Sequence, residues 1–137
     1  MRTLGLDPGT KRIGVAMSDE LGMIAQPLEF VPAHPEEGVF VRLKELIQEN
    51  QVSEIIVGMP RNMNGTMGPA AEKAQAFIEQ IKKHVDTPVR EWDERLTTAQ
   101  AQRVLISAGT RRNKRKEKVD KMAAAILLQS YLDSKTF

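Results

Sequence analysis

Ile55-Ile56-Val57 is a run of three β-branched residues with no alternation of apolar and polar positions. A strand with one solvated face alternates, so a continuous apolar run suits a strand covered on both faces of a sheet. Both of its neighbours in sequence read as helices. Before it, Val39, Phe40, Leu43, Leu46 and Ile47 recur at helical spacing up to about Asn50. Pro35 suits the first helical position, and Glu36 and Glu37 suit the positive end of a helix dipole. After it, Pro69 can open a helix whose apolar face is Ala70, Ala74, Phe77, Ile78, Ile81 and Val85. A doubly covered strand between two helices requires an α/β architecture, with layers on both faces of the sheet.

The other elements must fit around that strand. Met1 to Asp7 reads as strand one and Ile13 to Ser18 as strand two, joined by a turn at Pro8-Gly9. Gly9 can take φ > 0 without steric cost. Gly22 to Val31 reads as strand three, which Pro27 places at a sheet edge. Pro88 to Asp93 reads as strand five. Thr97-Thr98-Ala99-Gln100 matches a capping box and opens a helix through Ala101, Val104, Leu105 and Ala108 that stops at Gly109. A last helix begins near Glu117 and carries Val119, Met122, Ala123, Ile126 and Leu127. The order β-β-β-α-β-α-β-α-α predicts a mixed five-stranded sheet, three antiparallel strands followed by two parallel ones, flanked by helices. Strand one should be central, with strand four beside it. A chain of 137 residues fits a single domain, 1–137. In such sheets, sites lie outside the carboxyl ends of the parallel strands.

Composition narrows the chemistry. With no cysteine, disulfides, thiolate metal sites and a thiol nucleophile are excluded. Two histidines, His34 and His84, do not make a histidine-rich metal site or suggest a Ser-His-Asp hydrolase. No apolar run approaches the ~20 residues that span a bilayer, and no basic-then-apolar leader follows Met1, so a cytoplasmic location without membrane contact is expected. The net charge is +2, yet Arg111 to Lys118 alone holds six basic residues and one acid, +5, leaving −3 for the rest. A weakly acidic body with one basic segment (Arg111, Arg112, Lys114, Arg115, Lys116, Lys118) points to a polyanionic partner, although a solvated charged loop is the bland alternative. With one tryptophan and one tyrosine, base stacking on aromatic platforms is expected to be minor.

Three acidic positions fall at ends of elements that should converge. Asp7 closes strand one, Asp93-Glu94 closes strand five, and Asp120 sits early in the last helix. Asp120 carries most weight: it lies between Val119 and Met122-Ala123-Ala124-Ala125-Ile126, and an acid flush with an apolar stripe is costly unless paired or metal-bound. Carboxylates without cysteine favour hard cations, Mg²⁺ or Mn²⁺. Two such ions ~3.5–4 Å apart can activate a water against a phosphodiester. No G-x-x-x-x-G-K-[ST] is present, and Gly5, Gly9 and Gly14 are not spaced as G-x-G-x-x-G. The D-x-G-T turn also occurs in sugar kinases and actin-like ATPases, which need two such domains around a nucleotide.

Four blocks, L-D-P-G-T-K-R-I-G-V-A-M-S-D at 6–19, G-M-P-R-N-M-N-G at 58–65, D-E-R-L-T-T at 93–98 and D-K-M-A-A-A-I-L-L-Q at 120–129, resemble the YqgF (RuvX) family over nearly the whole chain. The resemblance implies an RNase H-like fold and a metal-dependent nuclease, with Asp7, Glu94 and Asp120 as the catalytic, metal-binding acids and Asp93 as the alternative to Glu94. It also implies that Arg12, Arg61, Asn62 and Arg95 meet nucleic acid or order the acids. Its function would be hydrolysis of phosphodiesters in structured nucleic acid: the 5′ end of pre-16S rRNA in ribosome biogenesis first, a Holliday junction in DNA second. A non-catalytic RNA-binding assembly factor is the reading from another class. A monomer or weak homodimer is expected. The chain departs from the resolvases related to that family, which place a glutamate at the end of strand four, where Gly58-Met59-Pro60 stands, and a second acid where Ala123 stands.

Overall fold

A computed structural model describes residues 2–60, 68–94 and 112–135, the side chains of 112–121 excepted. Five strands, β1 (Arg2–Pro8), β2 (Arg12–Ser18), β3 (Ala25–Pro32), β4 (Val52–Met59) and β5 (Val89–Asp93), form one sheet in the order β3-β2-β1-β4-β5. The helices are α1 (Glu36–Asn50), α2 (Pro69–His84) and α3 (Arg112–Ser134). β1 pairs antiparallel with β2 and β2 with β3, whereas β1/β4 and β4/β5 are parallel. This is the mixed sheet expected from the sequence, with β1 central and Pro27 on an edge strand. The predicted helix over 97–108 lies outside the described residues.

Alternation along the strands sorts the core into two layers. Leu4, Leu6, Ile13, Val15, Val31, Ile55, Val57 and Met59 face α1 and α2, where they meet Val39, Phe40, Leu43, Leu46, Ala71, Ala74, Ile78 and Ile81. Ala16 and Ile56 face the opposite way, against Ala124, Ala125, Leu127, Leu128, Tyr131 and Leu132 of α3. β4 is therefore buried on both faces, as its unalternating run requires. Each fully buried Leu or Ile contributes roughly 1.5–3 kcal/mol.

Several details differ from expectation, the first being that β3 begins at Ala25 rather than Gly22. Pro35 is the N-cap of α1 rather than its first helical residue. In α2 the buried position of the first turn is Ala71, with Ala70 exposed; Gly68 is the N-cap and Pro69 opens the helix, and that start sets the phase of the stripe. The last helix begins at Arg112, not near Glu117. Arginine, lysine and glutamate are good helix formers, and no glycine or proline follows Gly109, so nothing breaks the helix between the basic segment and its apolar half.

α3 lies close on the sheet because its path is lined by small residues. A Cβ on Gly5 would come within 2.9 Å of Leu128 Cβ and 3.4 Å of the Ala124 carbonyl oxygen. Its C-terminal half is pinned by polar contacts: Gln129 Nε2 donates to the Met23 carbonyl at 2.9 Å, its Oε1 accepts from the Ala25 N–H at 2.9 Å, and Tyr131 donates to Glu54 Oε2 at 2.9 Å. Gly5→Ala is expected to lift α3 from β1 at a cost of about 1–3 kcal/mol, read as a lower unfolding midpoint in urea. An unchanged midpoint would show that α3 does not pack this tightly.

Candidate active site

β1 carries Asp7 to the carboxyl end of the central strand, where it is half-buried. Its neighbours on both sides are glycines. On β2 the residue paired with Asp7 is Gly14. On β4, Leu6 pairs with Val57, so Gly58 follows alongside Asp7. The turn after β1 needs Gly9, but not for a positive φ, which among the described glycines occurs at Gly22 alone. A Cβ on Gly9 would lie 2.6 Å from the Arg12 carbonyl oxygen. The tightness of the turn, not its handedness, selects glycine there.

The second acid reaches Asp7 across β4. β5 pairs with β4 through Gly58/Trp92 and Met59/Asp93, and the Glu94 N–H donates to the Met59 carbonyl at 3.2 Å. Trp92 faces α3, where its indole N–H donates to Ser130 Oγ at 3.3 Å and its ring meets Tyr131 edge-on at 5.3 Å. Two residues on, Glu94 returns to that same face, whereas Asp93 alternates to the other. The Glu94 side chain then folds over Gly58: a Cβ on Gly58 would stand 2.8 Å from Glu94 Cδ and 3.0 Å from Cγ. The missing side chain at the end of β4 is the space that Glu94 fills. Burial, a hydrogen bond with Asp7 and the charges of Asp7 and Asp93 push the Glu94 carboxyl up to about 8. Beside Asp7 the raised Glu94 carboxyl keeps its proton unless a cation takes its place.

α3 supplies the third position. Ala124 packs beside Gly14, where a Cβ would stand 3.5 Å from Ala124 Cβ and 3.6 Å from Asp7 Cβ. Position 120 is one turn earlier on the same helix face; the Asp120 side chain lies outside the described residues, and among those residues no group of three potential metal ligands forms. Arg112, Lys114, Arg115, Lys116 and Lys118 occupy the first two turns of α3. Arg61, Asn62, Arg95 and Arg111 lie outside the described residues. Arg12 opens β2, exposed, with its guanidinium 4.0 Å from the centroid of the Phe30 ring. Sequence reasoning missed Gly14, Gly58 and Phe30; the hairpin register places Gly14 opposite Asp7, and that register was the available signal.

Among the described residues no helix is long and apolar enough to cross a membrane. A family model described as "RuvX: Holliday junction resolvase" matches residues 1–134. A protein of Desulforamulus reducens named "Putative pre-16S rRNA nuclease" is 53% identical over 134 residues, 98% of each chain. A protein of Halothermothrix orenii with the same name is 55% identical over 134 residues, covering 97% of this chain and 95% of its own. Among solved structures, Thermus thermophilus RuvC in complex with a Holliday junction substrate superposes with a TM-score of 0.55 at 19% identity, covering 99% of this chain and 96% of that one. The fowlpox virus Holliday junction resolvase does so with 0.56 at 18%, covering 98% and 99%. At these identities the two structures establish the RNase H-like fold alone.

Proposed function

The chain belongs to the RuvX family and is a nuclease hydrolysing nucleic-acid phosphodiesters, and we propose that it is a divalent-metal-dependent endonuclease that processes the 5′ end of pre-16S rRNA. The observation that carries the metal dependence is the Asp7–Glu94 pair. Two carboxyl groups are pressed together at the carboxyl end of the central parallel strands, one of them pushed up to about 8, an arrangement that a divalent cation relieves. Their oxygen-only donor set fits Mg²⁺ or Mn²⁺, and Asp120 on α3 is the third donor of the proposal. The chemistry supplied by such an ion is activation of a water and neutralisation of charge at the leaving oxygen.

The chain's own residues set the geometry. Asp7 at the end of one strand and Glu94 just past the end of another fix the ligand oxygens; Gly58 leaves the seat that Glu94 fills, and Gly14 lets Ala124 of α3 pack close beside Asp7. The basic first turns of α3 are out of register with the helix dipole, whose N-terminal end is itself positive. Phosphates bound along Arg112, Lys114, Arg115, Lys116 and Lys118 would offset that repulsion, with Arg12, Arg61, Asn62, Arg95 and Arg111 as further backbone contacts.

The RNA substrate is supported by the names of the relatives more than 50% identical. The description of the family model favours a second reading, resolution of a four-way DNA junction. A cleavage assay offering a 5′-extended 16S precursor and a four-way DNA junction separates them. With Mg²⁺ or Mn²⁺ the precursor is expected to be cut at a discrete 5′ position, and chelation is expected to abolish cutting. Preference for the junction would replace the RNA reading by the DNA one. Cleavage that survives chelation would remove the metal, and binding without any cleavage would leave an assembly factor.

A further inference from the structure

Asp7, Gly14 and Phe30 form one row across three strands: Asp7 pairs with Gly14 and Gly14 with Phe30. Directly opposed residues of antiparallel strands share a face, and here it is the face that carries Asp7, because a Cβ on Gly14 would meet both Asp7 Cβ and Phe30 Cε1 at 3.6 Å. The space over Gly14 itself is taken by Ala124 Cβ of α3, 3.5 Å from that position, so between the acid and the ring α3 presents a methyl group at this point. Two strand spacings, about 9–10 Å, separate them. Phe30 lies on the edge strand and is 38% exposed. Arg12, two residues from Gly14 along β2 and so on the same face, lays its guanidinium over that ring at 4.0 Å. An exposed phenylalanine on an edge strand is a liability, and here it is covered by a planar cation whose outer side is open.

We propose that Phe30 and Arg12 form a stacking shelf for an unpaired nucleobase of the strand being cut, within one nucleotide of the phosphate at Asp7. Unstacked bases are bound on aromatic rings and on arginine guanidinium planes. Phe30 holds the Arg12 guanidinium over its ring and the base stacks on the outer side of that cation, while the N–H groups of Arg12 stay available to a phosphate oxygen. The shelf admits a base that has left its helix and rejects one held in a continuous duplex. It therefore selects single-stranded or splayed nucleotides beside the cut, and it rests on the reading of Asp7 as the phosphodiester site.

The test needs no turnover, so it is independent of that reading. Affinities are measured in chelator for a single-stranded oligoadenylate and for a strand of equal length and charge with abasic residues. The intact protein is expected to prefer the strand with bases by about tenfold or more. Phe30→Leu is expected to cut this preference at least fivefold, with little change toward the abasic strand, because the phosphate contacts remain; Arg12→Lys is expected to cut the same ratio at least fivefold, whatever phosphate contact it loses on both strands. Phe30→Trp is expected to restore it. Equal losses on both strands, or an unchanged preference in both variants, would overturn the shelf. Failure of the Asp7 site would appear elsewhere, as cleavage that survives Asp7→Asn.

Discussion

Gly58→Ala is expected to reduce cleavage as deeply as Asp7→Asn, on the order of 10³-fold or more, in a protein that remains folded. The space above Gly58 is the seat of the Glu94 carboxyl group. An alanine methyl there would overlap Oε1 and crowd Cδ at 2.8 Å and Cγ at 3.0 Å, so the carboxyl group must swing away and Asp7 loses its partner. The backbone of β4 accepts alanine readily, since the strand is extended at this position and its inter-strand pairs do not involve the side chain. Gly38→Ala is the matched control: a Cβ there meets nothing within 4 Å, and cleavage should persist. Rates measured at saturating substrate with thermal midpoints recorded alongside decide the matter. A Gly58→Ala protein that cleaves at close to the normal rate would show that Glu94 does not need its seat.

That seat also shows where the sequence stops speaking. Gly58-Met59-Pro60 reads as a gap in the acid pattern of the resolvases, because a sequence displays which side chain is missing and not which neighbour leans into the vacancy. Glu94 directly follows the next strand and lies 36 positions further on; only the β4/β5 register brings the two together. The layering, in contrast, was legible. Ile55-Ile56-Val57 lacks alternation because α1 and α2 cover one face and α3 the other, and that physical cause acts directly on composition. Asp7 was legible for a similar reason, since a lone acid after Leu4-Gly5-Leu6 must leave the core as the strand ends. The start of α3 was not. Charge clustering suggested a loop, whereas helix propensity carried the basic residues into the helix itself. Phe30 was invisible as a site residue because nothing in its local sequence distinguishes a ring on an edge strand from one in a core; it took two strand pairings to align it with Asp7.

In the metal-free protein, stability is expected to fall as pH rises from about 5 to about 8.5, and Glu94→Gln is expected to remove most of that fall. Folding raises the Glu94 carboxyl from an ordinary 4.5 to about 8. Below the lower value both folded and unfolded chains hold the proton, and the group contributes nothing to the difference. Between the two values the unfolded chain has released its proton and the folded chain retains it, so the unfolded state binds fewer protons and stability declines with pH. Above the upper value the whole penalty stands, on the order of 5 kcal/mol, or roughly 15 °C in thermal midpoint for a chain of this size. Glutamine keeps the hydrogen bond with Asp7 but cannot ionise, so its midpoint should exceed that of the unaltered protein at pH 8.5 and match it near pH 5. Added Mg²⁺ should act in the opposite sense to pH, stabilising the unaltered protein more at pH 8.5 than at pH 5, because its ligands must be deprotonated to bind it. Parallel stability curves for the two proteins across this range would mean that Glu94 ionises freely and is not held against Asp7. Gly58→Ala supplies the connecting result: by evicting Glu94 it should flatten the same curve and lower cleavage together, since the cramped carboxyl pair that weakens the metal-free fold is the pair proposed to hold the metal.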